Sequence, residues 1–135
     1  MDLDCEEFNR WFNQARYTFN LITPDIENNG YSWACFKAQQ CAEMAIKSIL
    51  EGVGKNAFGH GLLKLYEEVS SILGGNDDVF NSVSYLDKLY ISPRYPDAFT
   101  EGSPWEHFTE NDAITAKKAA KIVISYVERE MAKCL

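Results

Sequence analysis

Between Gly30 and Gly52 the chain places apolar side chains at Trp33, Ala34, Phe36, Ala38, Ala42, Met44, Ala45, Ile46, Ile49 and Leu50. No breaker interrupts this run, and at helical spacing its apolar positions cover most of the circumference. A helix that is apolar nearly all round must be packed on several sides. Tyr31 to Glu51 is therefore predicted to be a central helix, and whatever else the chain forms must wrap it.

The remaining segments supply suitable partners. Cys5, Phe8, Phe12, Ala15, Phe19 and Ile22 recur at steps of three and four, which predicts an amphipathic helix from Asp4 to Ile22. Pro24 and Gly30 are expected to end it. A third helix runs from Leu62 to Leu73 and stops at Gly74-Gly75. A shorter stripe, Val79, Val83, Leu86 and Tyr90, follows Asn76, Asp77 and Asp78, which suit an N-cap and first turn. Thr109 to Asp112 has capping-box spacing ahead of a final helix bearing Ala113, Ala116, Ala120, Val123, Val127 and Met131 on one face. No segment alternates as a strand. The expected fold is all-α, an antiparallel up-and-down bundle of four to five helices, forming one domain over residues 1–135.

Composition bounds the function. With 46% hydrophobic residues the chain is neither a disordered tail nor a membrane protein. A domain of this length buries enough surface to need no covalent staple. The opening stretch is acidic and lacks the basic-then-apolar order of a secretory signal, so a cytoplasmic location is expected. The net charge of −7 opposes broad, nonspecific nucleic-acid binding. It leaves room for local basic sites, at Arg94 and at Lys117, Lys118 and Lys121. The lysine triplet fits the solvated face of an amphipathic helix or a phosphate contact. Cys5, Cys35, Cys41 and Cys134 form no C-x-x-C pair, and Cys35 and Cys41 fall where core packing is expected. No metal or other cofactor is implied.

Two polar groups stand out. Gln40, Glu43, Lys47 and Glu51 step by three, four and four along the central helix, with Glu43 and Lys47 an i,i+4 pair in the favourable order. They form either the helix's one solvent-facing strip or a polar seam lining a groove or subunit contact. "SPRYPD" is the other group. Pro93 and Pro96 stiffen the backbone and push Ser92 and Tyr95 towards extended geometry. Arg94 then offers a planar fork to a phosphate or carboxylate, or else pairs with Asp97 or Glu101 while Tyr95 plugs the core. His60 suits capping or turn duty at the third helix, and His107 lies between aromatics. Neither has the cysteine or second histidine that a metal site would need.

"YSWACFKAQQCAEMAIKSILEGVG", "HGLLKLYEEV" and "YISPRYPDAF", in this order, resemble the central helix, third helix and Arg-Tyr-Pro-Asp segment of HEPN domains. The resemblance spans nearly the whole chain. It implies a helical bundle that dimerises, is linked to nucleotide or RNA binding, and works beside a minimal nucleotidyltransferase in toxin–antitoxin pairs. The 13% of aromatic residues likewise leaves material for a homodimer interface. On this reading Arg94 and Lys47 meet phosphate, Tyr95 stacks on a base, and Gln40, Glu43 and Asp97 complete the site. RNA-cleaving members of the family carry an arginine followed by a histidine a few residues later. Here His107 is far from Arg94 in sequence, and Arg10, Arg16 and Arg129 have no histidine in range. Metal-independent RNase activity would require the fold to bring His60 or His107 to Arg94 as acid or base. A purely structural dimerisation module is the third expectation.

Overall fold

The computed structural model describes residues 2–135. Asp4 starts the first helix, α1 (Cys5–Asn20), by accepting a hydrogen bond from the Glu7 N–H at 3.0 Å. Phe8, Phe12 and Ala15 on its inner face are fully buried. The helix ends earlier than its apolar stripe suggests. The chain turns at Leu21 and resumes as α2 (Ile22–Glu27), which contains Pro24. That proline falls in the first turn, where its missing N–H would have had no intrahelical partner. It is thus a helix starter here rather than a breaker.

The central helix is where the sequence puts it, as α3 (Tyr31–Gly52). It packs against α1, α2, α4 (Leu62–Leu73) and the long C-terminal helix α7 (Glu110–Glu130). Ala38, Ala42 and Ala45 have no exposed surface, so the neighbouring helices approach its backbone closely. Gly74 ends α4 with φ +81°. At Gly75 a β-carbon would fall 2.0 Å from Tyr66 Oη, so any larger residue would have to displace that buried ring. Asn76 then caps α5 (Asp77–Leu86) by accepting from the Val79 N–H at 2.9 Å. The expected stripe to Tyr90 continues only as a 3-10 turn over Asp87–Leu89.

The long segment after Pro93 is partly ordered into a 3-10 turn at Pro96–Ala98 and the short helix α6 (Pro104–His107). The Thr109–Asp112 capping box forms with aspartate in the acidic position. Thr109 N–H donates to Asp112 Oδ2 at 2.9 Å, and Asp112 N–H donates to Thr109 Oγ1 at 3.1 Å. Five of these helices, α1, α3, α4, α5 and α7, build the bundle, and no strand occurs among the described residues. None of the described helices is long and apolar enough to cross a membrane.

A covalent link between the two ends of the chain goes beyond the sequence reading. Cys5 and Cys134 form a disulfide that ties the start of α1 to the end of the chain, although a core of this size needs no staple. Asn9 Nδ2 donates to the Cys134 carbonyl at 3.1 Å beside it. Cys35 and Cys41 are free and buried, as expected, and burial pushes both thiols up to about 12. Burial also pushes the Tyr126 hydroxyl up to about 12, where it donates to the Gly74 carbonyl at 2.6 Å.

These three groups are all harder to ionise folded than unfolded. Their contribution to stability is intact below the ordinary values of 9.0 and 10.0 and is lost as pH rises towards about 12. Alkaline unfolding is therefore expected in that window. Urea titrations at stepped pH should show a shallower decline for Tyr126→Phe; an unchanged slope would mean that the hydroxyl ionises freely in the folded state.

Candidate functional site

The polar line on α3 is not a solvent strip. Glu43 has no exposed surface, and the Lys47 side chain is only 7% exposed. Lys47 Nζ donates to Glu43 Oε2 at 3.0 Å. Gln39 Nε2 donates to Glu43 Oε1 at 3.2 Å, and Gln40 Nε2 donates to Gln39 Oε1 at 2.8 Å. Glu51, half-buried further along, accepts the Ala57 N–H at 3.1 Å. The seam thus holds the glycine-rich connection between α3 and α4. Glu51 fixes its middle and Glu43 fixes its end, where His60 lies.

His60 does not cap α4, although it precedes that helix. Its Nδ1 lies 3.2 Å from each Glu43 carboxylate oxygen. An ionised carboxylate only accepts, so Nδ1–H donates to Glu43 and Nε2 is the ring nitrogen left outside that contact. The His60 side chain is 52% exposed while its partner carboxylate is sealed. The pair therefore presents an oriented imidazole from a buried anchor. The His60 ring stacks on Tyr90, with centroids 4.4 Å apart and planes inclined by 15°.

Tyr90 also receives Arg94. The guanidinium carbon lies 4.6 Å from the centroid of Tyr90, 4.1 Å from that of Phe36 and 5.0 Å from that of Tyr95. Arg94 Nε and Nη2 donate to the Tyr90 carbonyl at 2.9 and 2.7 Å. That carbonyl follows the last helical turn, where unpaired carbonyls favour a cation. Among the described residues Arg94 forms no ion pair with Asp97, Glu101 or any other carboxylate. It is a fixed positive charge in an aromatic frame, with Nη1 making no hydrogen bond to the described residues. Tyr95 does not plug the core; it is half exposed beside the guanidinium.

The fold thus assembles Gln40, Glu43, Lys47, His60 and Arg94 with Tyr95 around Tyr90 and the α3 surface. Asp97 is exposed in its 3-10 turn and makes no side-chain hydrogen bond to the described residues. His107 stays within its own segment. It stacks on Phe99 with centroids 4.0 Å apart, and its Nε2 lies 2.7 Å from the Glu101 carbonyl oxygen. Gln39, Phe36 and Tyr90 are the members that sequence reasoning did not assign to the site. Two of them carry a signal in spacing: Gln39 lies four residues before Glu43, and Tyr90 four before Arg94. No three described histidine, cysteine or acidic side chains are placed to hold a metal ion.

A family model described as "HEPN domain" matches residues 8–130. Among solved structures, TT1696 from Thermus thermophilus is 32% identical with a TM-score of 0.89, covering 97% of this chain and 100% of its own. ST0689, described as an archaeal HEPN homologue, is 29% identical with a TM-score of 0.77, covering 96% and 98%. A HEPN domain protein from Thermotoga maritima is 25% identical with a TM-score of 0.73, covering 92% and 98%. No curated protein matches.

Proposed function

Because the chain belongs to the HEPN family, we propose that it is a nucleotide-binding module which grips a phosphate with Arg94 and stacks a base on Tyr95. One observation carries this reading: the Arg94 guanidinium is immobilised without a carboxylate partner, beside a half-exposed aromatic ring. A prepositioned cation loses little freedom when an anion arrives. Aromatic faces accept any base by stacking. Lys47, spent on Glu43 inside the protein, acts through that carboxylate rather than on the ligand. The adjoining exposed Trp33 and Ile91 suit a second copy of the chain or a small nucleotidyltransferase of the toxin–antitoxin type as partner.

Titration calorimetry with purine and pyrimidine nucleotides tests the binding role. Arg94→Lys should weaken binding by roughly tenfold, because an ammonium cannot reproduce the planar fork. Arg94→Ala should weaken it further while costing about 1–2 kcal/mol of stability from the lost stacking and hydrogen bonds. Equal affinity in wild type and Arg94→Ala would remove Arg94 from the site.

A second reading is favoured by the Glu43–His60 pair. An imidazole oriented by a buried carboxylate, on the same tyrosine as an arginine, has the parts for metal-independent RNA cleavage. His60 Nε2 would take the 2′-hydroxyl proton as the 2′-oxygen bonds to phosphorus, the P–O5′ bond would break with the 5′-oxygen taking a proton from water, and Arg94 would stabilise charge on the phosphate. His107, occupied with Phe99 and Glu101, is the poorer acid or base. Cleavage that survives chelation and disappears in His60→Ala, but not in His107→Ala, would establish this reading over simple binding.

A further inference from the structure

Sharing no residue with this site, the end of α1 and α2 meet α7 around an open groove of about 560 Å³. That lies within the range of small-molecule pockets, roughly 300–1,000 Å³. Its wall is apolar, from Phe19, Ile26 and Ile114, and its rim carries Lys117, Lys118 and Lys121. Thr23 Oγ1 accepts from Lys117 Nζ and holds that ammonium at the rim. The Lys117 and Lys121 ammoniums converge on one ring, 6.0 and 5.7 Å from the Phe19 centroid.

The three lysines are modestly self-repelling. Lys117 and Lys121 are an i,i+4 pair of like charge, which repels, and Lys118 adds a third charge. Among the described residues none of the three forms an ion pair, in a protein whose Asp and Glu outnumber its Lys and Arg by 20 to 13. Acidic side chains are abundant, yet none of the described ones pairs with these three; Asp77 and Asp78 share a neighbouring hollow with Lys121 without forming a salt bridge to it. A dianion would relieve the repulsion, and the apolar wall beneath would cover an apolar body attached to that dianion. We propose that this pocket binds a small amphipathic phosphomonoester, with its phosphate on Lys117 and Lys121 and its apolar chain or ring against Phe19, Ile26 and Ile114. It shares no residue with the Arg94 site, so the two proposals stand separately.

Calorimetry on the full chain tests it, with octyl phosphate kept below micelle formation, inorganic phosphate as the head alone, and octanol as the tail alone. Octyl phosphate should bind more tightly than either fragment by roughly tenfold or more, because only it uses both halves of the pocket. Raising the salt should weaken it. Lys117→Gln/Lys121→Gln should reduce its affinity by roughly tenfold or more. Lys121→Gln alone, at an exposed position, should reduce it in part and serves if the double variant folds poorly. Arg94→Ala should leave it unchanged. Inorganic phosphate binding equally well would reduce the cluster to an anion patch, and octanol binding equally well would reduce it to an apolar hole. No octyl phosphate binding, or affinity lost in Arg94→Ala, overturns the proposal. So does loss in Lys121→Gln of binding to RNA or anionic vesicles without octyl phosphate binding, which would make this a macromolecular surface.

Discussion

Replacing Glu43 with alanine is expected to destabilise the protein by about 3–5 kcal/mol, because it leaves Lys47 charged in a place with almost no water. The same change removes the acceptor for Gln39 and His60. The double variant Glu43→Leu/Lys47→Met should behave differently. Replacing both charges with apolar groups of similar size is often neutral, or stabilising by about 1–4 kcal/mol. Urea unfolding of wild type, Glu43→Leu, Lys47→Met and the double variant closes the cycle. Strong coupling, with the double variant near wild type, is the expected pattern. Additive losses would mean that the two side chains are not a buried pair. The double variant should nonetheless lose most of any activity that depends on His60, since the imidazole then keeps its stacking on Tyr90 but loses the carboxylate that fixes its Nδ1. Stability and function are thereby separable at one ion pair.

The second large effect is expected at the disulfide. Cys5 and Cys134 are separated by 129 positions, so the bond closes nearly the whole chain into a loop. Removing a native disulfide costs about 2–5 kcal/mol, and loops of this length fall near the upper end in the chain-entropy account. Cys5→Ser/Cys134→Ser, or reduction of the wild type, should therefore lower the melting temperature by about 10 °C or more. Cys35 and Cys41, buried with thiols held protonated, should resist alkylation in the folded protein. An unchanged melting point after verified reduction would show that the terminal segments hold without the bond. Disulfides persist in oxidising compartments and are scarce in reducing ones. The oxidation state of this pair in cells trapped with alkylating agent therefore reports the compartment the protein occupies.

The fold was largely legible because the central helix leaves few alternatives. Once Tyr31–Gly52 must be covered on several sides, the amphipathic stripes on either side of it have one role to fill. The capping box at Thr109 and the glycine stop at Gly74 were readable for a related reason: both work through neighbours in sequence. The candidate site was legible only in part. Spacing placed Gln40, Glu43, Lys47 and Glu51 in one line, but spacing does not say whether a line faces water or protein. That depends on the glycine-rich connection folding back to bring His60 onto Glu43, a contact across 17 positions. Pro93 and Pro96 mark in sequence the turn that carries Arg94. The arginine's partner is a backbone carbonyl, which every residue carries and no composition reveals. The Cys5–Cys134 bond depends on the two ends of the chain meeting, which no local pattern encodes.

The same bond changes what a cut in the backbone would do. Residues 54–56 and 58–61, between α3 and α4, are exposed, and the termini on either side of them are covalently joined. A protease that nicks this connection makes a circular permutant in one step: a continuous chain whose new ends lie beside His60 and whose old ends are fused through sulfur. The α3 and α4 halves would migrate as one species on a denaturing gel and separate only with reductant. The nicked molecule would keep its bundle while losing the strap that carries the imidazole.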